Sequence, residues 1–371
     1  SKRPRRNRFI ELLMKGKSMT ETAPVRIGFV GVGGMGQCAH LRNYAALPDC
    51  DVVAIAELRR NTAAKVAAKY GVPAVYDDAH EMIARERPDA LVCSQPFQRH
   101  AALLPELLCH RKPIFIEKPL AGSLESGEKL LEAIENSGTW VMVGYHKRSD
   151  PATIYACDAI RKFRESGEIG AMRYVRILMP AGDWIAGGFW DYVDAGDSRK
   201  DLETEPVPSD MDAKGYAGYV SFVNYYIHQV NLLRHLLGES YEVTYADPSG
   251  VLLAAQSSGG VAAVIEMTPY QTTVDWQESA LVAFERGYVK LELPAPVAVN
   301  RPGRVEILRD PGNGVTPEVM SPHLPWTHAM RRQAENFIAA VRGERPPMCD
   351  AREALEDLKV ARAYLRLWKN V

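Results

Sequence analysis

Two short stretches carry the side chains best suited to moving a proton. In Ile114-Phe115-Ile116-Glu117-Lys118-Pro119-Leu120 an apolar run delivers a carboxylate and an amine to its end, and a proline follows. A lysine at the rim of a cleft can hydrogen-bond a substrate hydroxyl and shift its own pKa. The Lys118-Pro119 bond is a candidate for the cis form, which would fix the turn. The second stretch is Val223-Asn224-Tyr225-Tyr226-Ile227-His228-Gln229-Val230-Asn231. On a helix, Asn224 and His228 stand at i, i+4 and Tyr225 and His228 at i, i+3, so all three share one face. Taken alone, Glu-Lys-Pro is more often a surface turn. A single histidine on a half-apolar helix is more often a satisfied core residue.

A partner for such chemistry is written into Val25 to Gly36. The stretch starts as an apolar run rich in β-branched residues, which reads as a buried strand. It breaks into G-x-G-x-x-G, with Gly31, Gly33 and Gly36, and runs on into a helical segment from Gln37. Gly31 permits the tight turn, Gly33 lets a pyrophosphate approach the backbone, and Gly36 lets the new helix pack on the sheet. The helix start offers its unpaired N–H groups to the phosphates. Glu57 ends the second strand about 20 residues later, where a carboxylate accepts both ribose hydroxyls of NAD and repels a 2′-phosphate. Arg59 and Arg60 follow, and a guanidinium there would hold the phosphate of NADP. The acid occupies the ribose position itself, so NAD is the expected cofactor and NADP the less favoured one.

The elements that must position these groups alternate between strand and helix from residue 25 to about 143. Strands are expected at 51–56, 89–93, 113–116 and 139–143, and helices at 59–70, 77–86, 99–110 and 123–137. Such alternation means a parallel, doubly wound sheet with right-handed crossovers. Ligands sit at its carboxyl strand ends, here Gly31, Glu57, Ser94, Glu117-Lys118 and Gly144-Tyr145. A helix at 151–166 and a strand at 171–179 follow. An irregular insert over about 180–216 then holds Asp183, Trp184, Trp190, Asp191, Tyr192, Asp194 and Asp197. A structureless loop this long is usually functional. Aromatic rings with carboxylates suit the face and hydroxyls of a sugar, so substrate contact is expected, with a subunit-contact loop or a lid as the alternative. Residues 218–238 read as a helix with Gly238 just past its end. Short β-rich segments fill 241–308, and two amphipathic helices, 326–342 and 351–368, return to cover the domains.

Gly31-x-Gly33-x-x-Gly36, Glu57, Glu117-Lys118-Pro119 and Gly144-Tyr145-His146-Lys147-Arg148 together resemble the Gfo/Idh/MocA family, of glucose-fructose oxidoreductase and inositol dehydrogenase type. The order of elements agrees over nearly the whole chain. The resemblance implies an α/β fold with an N-terminal Rossmann domain, a doubly wound parallel sheet, at 25–148. A substrate-binding and oligomerisation α/β domain with a large, mostly antiparallel sheet follows at 149–345. A C-terminal helix, 346–371, packs back on both. The cofactor shell then comprises Gly31, Gly33, Gly34, Met35, Gly36, Glu57, Arg59, Ser94, Gln95, His100, Glu117, Lys118 and Arg148. Lys118, His228, Tyr225 and Asn224 form the catalytic group, and Tyr145, His146, Asp183, Trp184 and Trp190 face substrate. Family dehydrogenases carry Asp-x-x-x-His on this helix. Here Asn224 stands at the aspartate position, and an amide lacks the charge that raises a neighbour's pKa. The implied activity is hydride transfer between nicotinamide and a hydroxyl-bearing carbon of a sugar, sugar derivative or polyol. The alternatives are a redox-neutral NAD-dependent glycosidase, working by transient hydroxyl oxidation and elimination, and a cofactor-binding protein without catalysis. The resemblance also implies a homodimer or homotetramer through the second sheet.

Composition bounds these readings. At 371 residues the chain is long enough for about two domains. Its net charge of −1 gives no electrostatic case for nucleic acid or membrane partners. Cys38, Cys50, Cys93, Cys109, Cys157 and Cys349 are scattered, without C-x-x-C or zinc-finger spacing. They read as reduced thiols of a cytoplasmic protein with no metal site. The first 24 residues form a basic tail, with Lys2, Arg3, Arg5, Arg6, Arg8, Lys15 and Lys17 against Glu11. Its apolar run is too short for an export signal, and no run of 18 apolar residues exists to cross a membrane.

Overall fold

The structure, a computed structural model, describes residues 23–198 and 201–369. The basic tail, up to residue 22, lies outside them.

Val25–Val30 (β1) is buried at every position but Arg26. The chain turns through the glycines into a helix that is π-wound over Gly36–Leu41 and continues as Arg42–Tyr44 (together α1). There follow β2 (Cys50–Ala56), α2 (Arg60–Tyr70), β3 (Ala74–Tyr76), α3 (Ala79–Glu86), β4 (Ala90–Cys93) and α4 (His100–Leu108). β5 (Ile114–Ile116), α5 (Leu124–Ser137) and β6 (Val141–Val143) complete the first sheet. Its six strands are parallel, in the order β3-β2-β1-β4-β5-β6. Helices cover both faces, which is why its central strands are apolar apart from Arg26 near the start of β1. The order reverses between β1 and β4, and that switch point opens a crevice at the carboxyl ends. Local signals set the helix limits. Asp78 and Ser123 accept from the N–H groups of Glu81 and Ser126, and Gly71 and Gly138 end α2 and α5 in the left-handed conformation.

Asp150 caps α6 (Pro151–Ser166), which leads to β7 (Met172–Ala181). After the insert comes α7 (Ala213–Leu237), capped by Asp212 and closed by Gly238 at φ 68°. The helix starts at Ala213 rather than near 218, because the cap lies upstream of the apolar run that marks it in the sequence. β8 (Tyr241–Ala246), β9 (Leu252–Ser257), β10 (Ala262–Gln271), β11 (Glu278–Phe284), β12 (Gly287–Leu293), β13 (Arg304–Arg309) and β14 (Glu318–Met320) join β7 in the second sheet. Its order is β14-β13-β12-β11-β7-β10-β9-β8, antiparallel except for β7 with β10. β3 and β14 were not foreseen, since three residues are too few to show a period.

α8 (Ala329–Val341) packs on α1. α9 (Ala351–Lys369) lies against α5, α7 and β8, so it joins the two halves. One continuous apolar core runs from Val30 and Leu91 under the first sheet to Val175 and Ile265 under the second.

Candidate active site

The glycine turn is shaped by contacts that side chains would destroy. Gly31 sits at φ 90°, and a Cβ there would lie 2.3 Å from Gln95 Nε2 and 2.7 Å from Ser94 O. A Cβ on Gly36 would lie 2.9 Å from Gly31 O. Gly33 is different, because no atom lies within 4 Å of where its Cβ would be. That face opens onto a cavity of about 590 Å³ lined by Gly31, Gly33, Gly34, Glu57, Arg59, Ser94 and Gln95. A second cavity of about 450 Å³ shares Gly33, Gly34, Ser94 and Gln95 with the first and adds Met35, Glu117, Lys118, His146, Asn224, Tyr225 and His228. The two form one cleft across the strand ends. A bare backbone at its centre and a carboxylate at one end fit a dinucleotide.

At that end Glu57 accepts from the Val32 amide at 3.0 Å and from Arg59 Nε and Nη2 at 3.1 and 2.9 Å. Burial would push its carboxyl up, but these donors hold it below the usual carboxylate range. Arg59 therefore lies across the acid as well as beside the ribose position.

The second cavity brings together side chains from both halves of the chain. Lys118, before a cis bond to Pro119, donates to the backbone oxygen of Asn224 at 2.7 Å. Burial lowers its pKa to about 8, with Lys147 lowering it further and Glu117 opposing. Glu117 does not point into the cleft as a free acid, because it meets His40 Nε2 at 2.5 Å. The His228 ring packs edge-on against His146 at 4.4 Å between centroids. Burial pushes both imidazoles well below their ordinary range, helped by Lys147, Lys118 and His40 around His146 and by His146, Lys118 and Lys147 around His228. His228 Nδ1 has no hydrogen-bond partner among the described residues.

Several expected site residues are not brought to the cleft. His100 is fully buried behind it, with Nδ1 toward the carbonyls of Pro119 and Leu120 at 3.1 and 3.2 Å, where it braces the lysine turn. Arg148 points away, donating to Asn231 at 2.7 Å, to the Met348 carbonyl and to Glu353. Tyr145 is buried with its ring edge toward His228 at 5.8 Å. Asp183 caps its own turn, accepting from the Ile185 and Ala186 amides at 3.0 Å. Trp190 is 78% exposed, with Arg42 over its ring. For Arg148 and Tyr145 the chain runs from the end of β6 along the cleft, and packing turns their side chains elsewhere.

Other wall residues were missed. Lys147 pairs with buried Glu278, which also accepts from Gln229 at 2.8 Å and from Trp276 Nε1 at 3.2 Å. Lys147, Gln229 and Trp276 all line the second cavity, as do Met179, Pro296 and Met330. Lys147 and Gln229 lay inside the motifs already quoted. Trp276 comes from a loop with no signal in the sequence.

Of the insert's aromatic residues, only Trp184 lines that cavity. From Phe189 to Asp197 the segment lies over the outside of the glycine turn, and Asp191 and Asp197 face α1 and α2 rather than the second cavity. Gln37 donates to the Val193 carbonyl at 2.9 Å and accepts from the Val193 amide at 3.0 Å. Phe189 closes on Gly34, where a Cβ would meet its ring at 3.1 Å. Asp191 pairs with Arg42 and Lys69. Asp197 accepts from the Thr62 amide and hydroxyl, both at 2.7 Å, at the start of α2. Further on, Glu205 accepts from the amides of Ala101 and Gly122, and Leu202 and Thr204 wall the first cavity.

Comparison with known proteins agrees with this geometry. Residues 25–145 match the family model described as an oxidoreductase family with an NAD-binding Rossmann fold. Inositol 2-dehydrogenase of Rubrobacter xylanophilus is 34% identical over 148 residues, which is 40% of this chain and 41% of that protein. Inositol 2-dehydrogenase of Burkholderia lata is 27% identical over 304 residues, 77% of this chain and 80% of that protein. Among solved structures, a putative NADPH-dependent oxidoreductase from Desulfitobacterium hafniense shares the fold with a TM-score of 0.73 at 16% identity, covering 92% of this chain and 95% of that one.

Proposed function

We propose, from the premise that this chain belongs to the Gfo/Idh/MocA oxidoreductases, that it transfers hydride between nicotinamide and a hydroxyl-bearing carbon of a polyol or sugar. The observation that carries the reading is the meeting of Lys118 and His228, from different halves of the chain, in a cavity walled on another side by Gly33 and Gly34. NAD(P) is the cofactor class of the family. NAD is the form we favour, because Glu57 stands at the end of β2, although Arg59 across it narrows the preference. Inositol-like polyols are the first substrates to try, since the relatives described above carry that name. Those names are dehydrogenase names, so the glycosidase alternative is set aside.

A bound nicotinamide would take up the hydride, and the chain's own residues handle the proton. Lys118 is the group placed to take it. Its amine is buried, and a pKa of about 8 leaves a useful neutral fraction near physiological pH. His228 stays neutral, so its ring can orient the hydroxyl by hydrogen bonding but is a weak base. Burial and the nearby His146, Lys118 and Lys147 set that division, and Asn224, one turn away, brings no carboxylate to oppose them. Lys147, held by Glu278, and Trp276 close the far wall.

The test is reduced-cofactor formation from myo-inositol, other polyols and aldoses, with NAD and NADP compared. Lys118→Ala and His228→Ala are expected to lower kcat/KM by about 10²- to 10⁴-fold. Full turnover in both variants would overturn the assignment.

The subunit contact belongs, in our reading, on the outer face of the second sheet. Tyr174, Leu178 and Leu281 are half-buried there, and sedimentation equilibrium distinguishes monomer from dimer.

A further inference from the structure

Away from the reacting groups, His80, Cys109 and His110 meet at one corner of the first half. His80 is the second residue of α3, and Cys109 and His110 directly follow α4, so the cluster joins the start of one helix to the end of another. His80 Nδ1 lies 2.8 Å from His110 Nε2. One donor atom from each of the three residues lies within 4.8 Å of the other two.

We propose that this cluster binds a borderline-soft divalent cation of the zinc class, through two imidazole nitrogens and the Cys109 thiolate. The donor set selects the ion. Two nitrogens and a sulfur suit zinc, whereas magnesium and calcium take oxygen ligands. Zinc–nitrogen bonds of about 2.0–2.1 Å in a tetrahedron put two nitrogens about 3.3 Å apart, so small ring rotations open the 2.8 Å contact to the needed span. His80 Nε2, the nitrogen facing away from His110, lies 3.8 Å from Glu106 Oε2. Metal-bound histidines give their outer N–H to such a carboxylate, which fixes the ring and its tautomer. Cys109 is exposed, so the fourth position is open to water. Binding releases the thiol proton to solvent. His80 and Glu106 also line the cavity that holds Glu57 and Arg59, so the ion would pin α3 to α4 at that wall.

The test uses the full chain after chelator treatment, titrated with zinc chloride against a chromogenic zinc indicator. Cysteine modification is followed at the same time. Cys109 is the one exposed thiol among the described residues, so the fast-reacting sulfhydryl reports on this site. Zinc is expected to slow its modification at least about tenfold, and magnesium to leave it unchanged. Glu106→Gln is expected to weaken zinc binding about 10- to 100-fold, and His80→Ala to weaken it by at least as much. Cys109→Ser, on the surface, guards against a folding defect and is expected to lose the same equivalent of zinc. The proposal falls if zinc leaves Cys109 modification unchanged, or if His80→Ala and Cys109→Ser bind zinc as the parent chain does.

Discussion

In the mechanism we propose, the amine of Lys118 and the imidazole of His228 divide one proton-transfer task, and their surroundings decide how. Burial lowers the Lys118 pKa to about 8. Below that value the amine is a cation that cannot accept a proton, and above it the amine is a free base. Substrate oxidation is therefore expected to rise with pH through about 8 and then level off, measured as kcat/KM against pH. Lys118→Arg, which stays charged, is expected to be as inactive as Lys118→Ala, since it keeps a donor but supplies no base. The Asn224 position gives a second test. Asn224→Asp puts a carboxylate one turn from His228 and is expected to raise the pKa of that imidazole, giving the pH profile a new limb. NMR of the histidine ring protons measures the change directly. An unmoved His228 pKa in that variant would show that the two side chains do not face one another.

At the scale of elements, the insert between β7 and α7 works as a strap across the glycine turn. Its anchors are polar and local: Gln37 with Val193, Asp191 with Arg42 and Lys69, and Asp197 on the start of α2. A dinucleotide lying along the cleft would have the strap beside its phosphates. Gln37→Ala and Asp191→Ala are expected to weaken cofactor binding by about 3- to 30-fold, which corresponds to losing one or two ordinary hydrogen bonds. The chemical step would change little. Fluorescence titration with NADH separates the two effects, and equal affinity in both variants would reduce the strap to packing. Asp197 at the amino end of α2 stabilises that helix through its dipole and the Thr62 amide.

At the scale of the whole molecule, the two sheets are joined by one core and one helix. Phe222 of α7 stacks on Tyr364 of α9 with ring centroids 4.5 Å apart, and both are buried. α9 also rests on α5 of the first half, and beneath it Asn231, Arg234 and Arg148 converge on Asp357 and Glu353. Phe222→Ala is expected to cost about 3–5 kcal/mol. Urea unfolding followed by far-ultraviolet circular dichroism and by tryptophan fluorescence should show one coincident transition in both proteins. Separate transitions would mean that the halves fold independently.

The sequence by itself determined much of this. G-x-G-x-x-G after a strand, Glu57 at the end of the next strand and the regular alternation to residue 143 set the first sheet and its phosphate cradle, because backbone chemistry and periodicity are local properties. The helix face of Asn224, Tyr225 and His228 was equally legible, since i, i+3 and i, i+4 spacing fixes a face. Only the tertiary structure decided where the side chains point. It turned Arg148 into a buried tie under α9, set His100 behind the lysine turn, and laid Asp191 and Asp197 of the insert on α1 and α2. It brought Trp276 and Lys147 to the wall. It also gathered His80 with Cys109 and His110, which lie too far apart in the chain for spacing to reveal. Contacts between distant segments depend on packing that no local pattern encodes.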